Sequence, residues 1–196
     1  MNMIDDGVSA QDLLAANDMI AQGDYEGAVR LLERAVADDP TDCSALTALG
    51  IAFTEGGEHE KAVKALERAL TLQESIPEAH EALGCAYYRL GYLEKAERAL
   101  KRALELAPQD GGVLRNLGVV LDRLGDFEQG SSMIEEAYRL NQFDYQAMYA
   151  LSSVRLRQGE LEAAMELLER IATEDSPINL KMLAIDHIQN LKRYIR

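Results

Sequence analysis

Apolar residues recur along the chain at helical spacing, most cleanly between residues 77 and 110. His80, Leu83, Tyr87 and Leu90 stand three and four residues apart, which is the period of one buried face of an α-helix. Gly91 follows directly, and glycine enters the left-handed region that ends a helix without steric cost. A second stripe runs through Leu93, Ala96, Leu100, Ala103 and Leu104, with Pro108 beyond it, where a proline stops a helix. Gly84, Ala96 and Ala103 interrupt faces otherwise made of leucine and tyrosine. Small side chains let two helix backbones approach, so the pattern predicts a tight antiparallel helix pair.

The pattern repeats when the chain is shifted by 34 residues, without insertion. The turn glycine recurs as Gly23, Gly57, Gly91, Gly125 and Gly159, and the small site before it as Ala16, Gly50, Gly84, Gly118 and Ser152. The second helix repeats Ala28, Ala62, Ala96, Gly130 and Ala164, with Leu32, Leu66, Leu100, Ile134 and Leu168 after them. Five contiguous units are expected, at residues 9–42, 43–76, 77–110, 111–144 and 145–178. Residues 1–8 are short, polar and expected to fray. Ser176 and Pro177 read as the cap and first residue of a closing helix over 179–196. Its expected apolar stripe is Leu180, Leu183, Ile188, Leu191 and Ile195, and Asp186 at the small site marks it as a cover, not a sixth unit.

Four departures from the pattern carry expectations. Asp12 and Ala15 give the first unit a more polar opening helix, as the end of an array requires. His59 takes a place held elsewhere by Tyr25, Leu93, Phe127 or Leu161 and reads as a packed or partly exposed imidazole. Gly130 to Ser132 is the weakest helical stretch, either a soft joint or a relief of crowding beneath Met133 and Ile134. Arg155 replaces an aromatic or apolar residue, which predicts looser packing in the fifth unit.

The period, the two-helix unit and the spaced small and aromatic positions resemble the tetratricopeptide repeat family over residues 9–178, with residues 77–110 the best match. The resemblance implies an all-α fold, a right-handed superhelical α-solenoid of antiparallel helix pairs. It further implies that partner segments lie along a concave wall built from the first helix of each pair. That wall takes Thr47, Ile51 and Thr54 from the second unit and Glu81, Cys85, Tyr88 and Arg89 from the third. Arg115, Val119, Asp122 and Arg123 follow from the fourth, then Tyr149, Ser153, Leu156 and Arg157 from the fifth. Arg89, Arg123 and Arg157 fall in one phase beside an apolar strip of Ile51, Cys85 and Val119. Arginine suits bidentate contact with carboxylates, so the implied partner is a protein or peptide segment bearing acidic and apolar residues. The same arginines also sit where cations complement helix C-termini. Some family members grip a terminal carboxylate with lysine, asparagine and arginine across three units. Here Glu81, Cys85, Gln146 and Ala150 occupy those places and only Asn116 fits, so that activity is not expected.

Charge narrows the choice of partners. The net charge is -14, with ten acids and two bases in residues 1–42 against one acid and four bases in residues 179–196. Bulk acidity argues against nucleic acid and anionic lipid, which need a basic footprint. No apolar run approaches a membrane span, and the acidic start lacks the features of a secretory signal. Cys43 and Cys85, in different units, read as free thiols, so a cytoplasmic protein without membrane insertion is expected. His59, His80 and His187 lie in separate units without partners at metal-ligand spacing, and no nucleophile elbow or phosphate loop is present. No enzyme activity, metal or cofactor is expected. Two readings follow: an adaptor holding a partner segment in the wall, or a scaffold of self-associating copies joined acidic head to basic tail.

Overall fold

A computed structural model describes residues 10–194; the fray expected over 1–8 and the stripe residue Ile195 lie outside them. The described residues form eleven α-helices and no strand. These are α1 (Ala10–Ala21), α2 (Tyr25–Asp38), α3 (Cys43–Glu55), α4 (His59–Leu72), α5 (Pro77–Arg89) and α6 (Leu93–Leu106). They continue as α7 (Gly111–Leu124), α8 (Phe127–Leu140), α9 (Tyr145–Gln158), α10 (Leu161–Thr173) and α11 (Ile178–Tyr194). The chain divides into two compact units, one ending at Pro108 and one beginning at Gln109. In the first, α1 pairs with α2, α3 with α4 and α5 with α6, and the first helices α1, α3 and α5 adjoin in turn. In the second, α7 pairs with α8 and α9 with α10, α7 adjoins α9, and α11 packs on α10 and α9. The architecture is an all-α solenoid of helix pairs.

Two physical demands place the glycines. Gly23, Gly57, Gly91, Gly125 and Gly159 all have φ between 79° and 92°, and nothing lies within 4 Å of where a Cβ would stand. Backbone conformation alone selects glycine there. Gly50 and Gly84 are the opposite case, since a Cβ would come within 2.3 Å of Leu66 Cγ and 2.5 Å of Leu100 Cγ respectively. Close approach of the paired helices selects them. Leu32, Leu66, Leu100 and Leu168, one from each of four second helices, are fully buried and anchor the core of their pairs.

Aspartates open many of the helices. The Asp42 carboxylate accepts from the backbone N–H groups of Ser44 and Ala45, Asp110 from Val113, and Asp144 from Gln146 and Ala147. Asp24 and Asp126 do the same for α2 and α8. Each such cap is worth about 1 kcal/mol. Part of the acidic surplus is thus helix architecture.

Three local expectations change. Ser176 does not cap α11: its buried hydroxyl donates backward to the Ile171 carbonyl at 2.6 Å, closing α10, while the Pro177 carbonyl accepts the first bond of α11 from Lys181. The buried stripe of α11 runs through Leu180, Ala184 and Ile188, with Leu191 half-buried, and leaves Leu183 exposed. Leu183 lies 34 residues after Tyr149, in phase with the wall positions of α7 and α9, so it faces where they face. α8 runs unbroken through Gly130. Its Cβ would stand 2.8 Å from the Gly118 carbonyl oxygen and 3.0 Å from the Asp122 nitrogen, so the crowding it relieves is against the backbone of α7.

Candidate functional site

The wall of first helices is described in each unit separately. In the first unit α3 and α5 contribute it. Thr47 and Thr54 are buried, and the Thr54 hydroxyl donates to the Gly50 carbonyl at 2.8 Å. Both lie beneath the surface of the wall. Ile51, Glu81, Cys85 and Tyr88 are half-buried, and Arg89, the last residue of α5, is exposed. These residues give a partly open surface with apolar and acidic components and one exposed cation. Behind it the Tyr87 hydroxyl donates to Glu67 at 2.6 Å, and burial followed by that carboxylate pushes its pKa up to about 12.

In the second unit several wall residues are already engaged. Arg115 pairs with Asp144 at 2.6 Å, with both side chains mostly buried, which links α7 to the cap of α9. Arg157 binds the Asp122 carboxylate and lies 4.6 Å over the Phe127 ring, so it clasps the fifth pair to the fourth. Tyr149 rests against the His187 ring of α11 at 5.8 Å, and burial together with the Asp186 charge holds its hydroxyl above the usual tyrosine range. Val119, Ser153 and Leu156 are half-buried and Arg123 is exposed. All three arginines of this phase are exposed and stand in the last turns of their helices, and among the described residues Arg157 is the one paired, with Asp122 and over the Phe127 ring.

Sequence reasoning missed the polar clasp at Arg155. The guanidinium reaches Glu135 at 2.9 Å and Glu160 at 3.3 Å, replacing the aromatic packing of earlier pairs with ion pairs that join α9 to α8 and to the residue that precedes α10. The signal was present as an arginine on an apolar face, but one of its two glutamates lies on α8 and the other in the turn before α10. His59 is half-buried, and its Nδ1 is buried without a hydrogen-bond partner in the protein. Among the described residues no helix is long and apolar enough to cross a membrane, and no cluster of His, Cys, Asp or Glu is placed to hold a metal ion.

The fold and this wall define a class of helical-repeat proteins whose pairs present one helix face outward. Tetratricopeptide repeat models match residues 20–44, 77–110 and 115–177, and a TPR repeat model matches 50–91. The chain belongs to the tetratricopeptide repeat family. Among solved structures it is similar to TTC0263, a thermophilic TPR protein of Thermus thermophilus, at 22% identity and TM-score 0.79, over 90% of this chain and 96% of that one. It is also similar to MamA (41-end) from Desulfovibrio magneticus RS-1, at 21% identity and TM-score 0.69, over 87% of this chain and 98% of that one. YrrB, described as a TPR protein with an unusual peptide-binding site, matches at 19% identity and TM-score 0.62, over 93% of each chain. No curated protein matches the chain. The fold is that of a protein–protein interaction module, and the family is in general a non-catalytic interaction scaffold.

Proposed function

We propose that this chain is a non-catalytic, cytoplasmic adaptor that holds a segment of a partner protein against its wall of first helices. The observation that carries the reading is that each unit's first helices hold half-buried apolar side chains and an exposed arginine, Ile51, Cys85 and Tyr88 with Arg89 in one, and Val119 and Leu156 with Arg123 in the other. A segment with apolar anchors and carboxylates fits that chemistry, since apolar contacts supply energy and guanidinium forks supply orientation. The similarity to YrrB, whose description includes a peptide-binding site, supports the same use of the fold. Arg157 and Arg115 are assigned to the fold and not to the partner, because each is already paired.

Affinity capture from the native lysate with the wild-type chain and with an Arg89→Glu/Arg123→Glu variant tests this reading, followed by titration of the recovered segment. The expected result is a partner held by the wild type and weakened at least about tenfold, 1.4 kcal/mol, by the variant. Equal affinity for both proteins refutes the assignment. A second reading, assembly of copies into a scaffold, is supported by an uncovered apolar stripe on α11 and by the opposite charges of the first repeat and the last helix.

A further inference from the structure

We propose that the outer face of α11 docks the α1 helix of a second copy of this chain, joining molecules head to tail. The proposal deepens the self-assembly reading and stands apart from the wall.

The tail surface is apolar and uncovered. While Leu180, Ala184 and Ile188 are buried with Met148, Leu168 and Ile171, another side of the same helix carries Ile178, Met182 and Ile185 at 72, 65 and 40% exposure. These three positions share one helical face. Shifted by 34 residues, Met182 and Ile185 fall on Met148 and Leu151, both of which are buried. Thus α11 keeps the apolar residues of a paired helix, yet no second helix covers them among the described residues.

The head surface is the complementary case. On α1, Gln11, Leu14 and Asp18 are exposed, Leu14 at 63%. Their counterparts Ala45, Ala48 and Ala52 in α3, and Ala79, Ala82 and Ala86 in α5, are buried. The position is covered wherever another pair precedes the helix and open in α1, so it is the face that a preceding helix covers. One uncovered face therefore expects a helix after it and the other a helix before it. A second copy provides both.

Charge selects this pairing over the alternative of two α11 helices meeting. Residues 10–42 hold eight acids and two bases, with Asp18 in the α1 face, whereas residues 178–194 hold three bases and one acid, with Lys181 and Arg193 beside the apolar stripe. Two copies of α11 would bring basic helix against basic helix; α1 brings acid to base. The contact is heterologous, using different surfaces on its two sides.

Sedimentation velocity at low salt, over a range of concentrations, tests the proposal with two variants at exposed positions, Leu14→Lys and Ile185→Glu, whose folding is checked by circular dichroism. The wild type is expected to associate with rising concentration and to dissociate as salt is added. Each variant alone is expected to stay monomeric, because one lacks a head and the other a tail. Mixed in equal amounts they are expected to associate, since the intact tail of L14K meets the intact head of I185E. If the wild type associates and either variant alone does so equally well, these faces are not the contact, although self-assembly through another surface stands. A mixture that stays monomeric while the wild type associates likewise overturns the pairing. A wild type that is monomeric throughout overturns both the pairing and the self-assembly reading.

Discussion

Gly118 and Gly130 bring the backbones of α7 and α8 into contact, and the consequence is measurable at a single residue. Gly130→Ala should gain about 1 kcal/mol of helix propensity. Against this, the added methyl would stand 2.8 Å from the Gly118 carbonyl oxygen and 3.0 Å from the Asp122 nitrogen, both backbone atoms that a rotamer change cannot move. Overpacking of this kind costs about 1–3 kcal/mol, so the substitution is expected to destabilise the protein and lower the urea midpoint. A raised midpoint would show that the two helices do not touch here. Sequence spacing marked Gly130 as a departure but pointed beneath Met133 and Ile134; the contact is across to α7, because glycine at both facing positions lets the backbones meet.

Among elements, the join between α7 and α9 rests on Asp144, which caps α9 and also holds Arg115 of α7. Asp144→Ala removes both functions and is expected to cost about 1–2 kcal/mol from the cap alone. Arg115→Ala leaves the cap in place and should cost less. Because both side chains are mostly shielded from solvent, the pair should show a coupling of about 1 kcal/mol in a double-mutant cycle read by urea unfolding. Additive losses would mean that the ion pair contributes nothing. The sequence shows a charged residue at 115 and another at 144, but pairing across a 29-residue separation depends on how α7 lies beside α9. The same limit explains α11. Apolar residues lie all around that helix, so periodicity alone could not choose between Leu183 and Ala184; packing against Met148 and Ile171 made the choice.

For the whole molecule, the net charge of -14 implies self-repulsion in the folded state. Raising salt from about 10 mM to about 150 mM shortens the Debye length from about 30 Å to about 8 Å. The melting temperature, measured at low protein concentration, is therefore expected to rise, since the exposed ion pairs that salt also weakens are worth at most about 1 kcal/mol each. A fall would mean that those pairs outweigh the acidic surplus. At this scale the chain by itself determined the all-helical class, the turn glycines and the small sites, because each reports a local demand of backbone conformation or closest approach that repeats every 34 residues. Only the tertiary structure decided which wall residues stay open, burying Thr47 and Thr54 and committing Arg115 and Arg157 to ion pairs while leaving Arg89 and Arg123 exposed. The physical reason is that burial and pairing are set by neighbouring helices, and an amphipathic pattern states that a face is buried without stating against what.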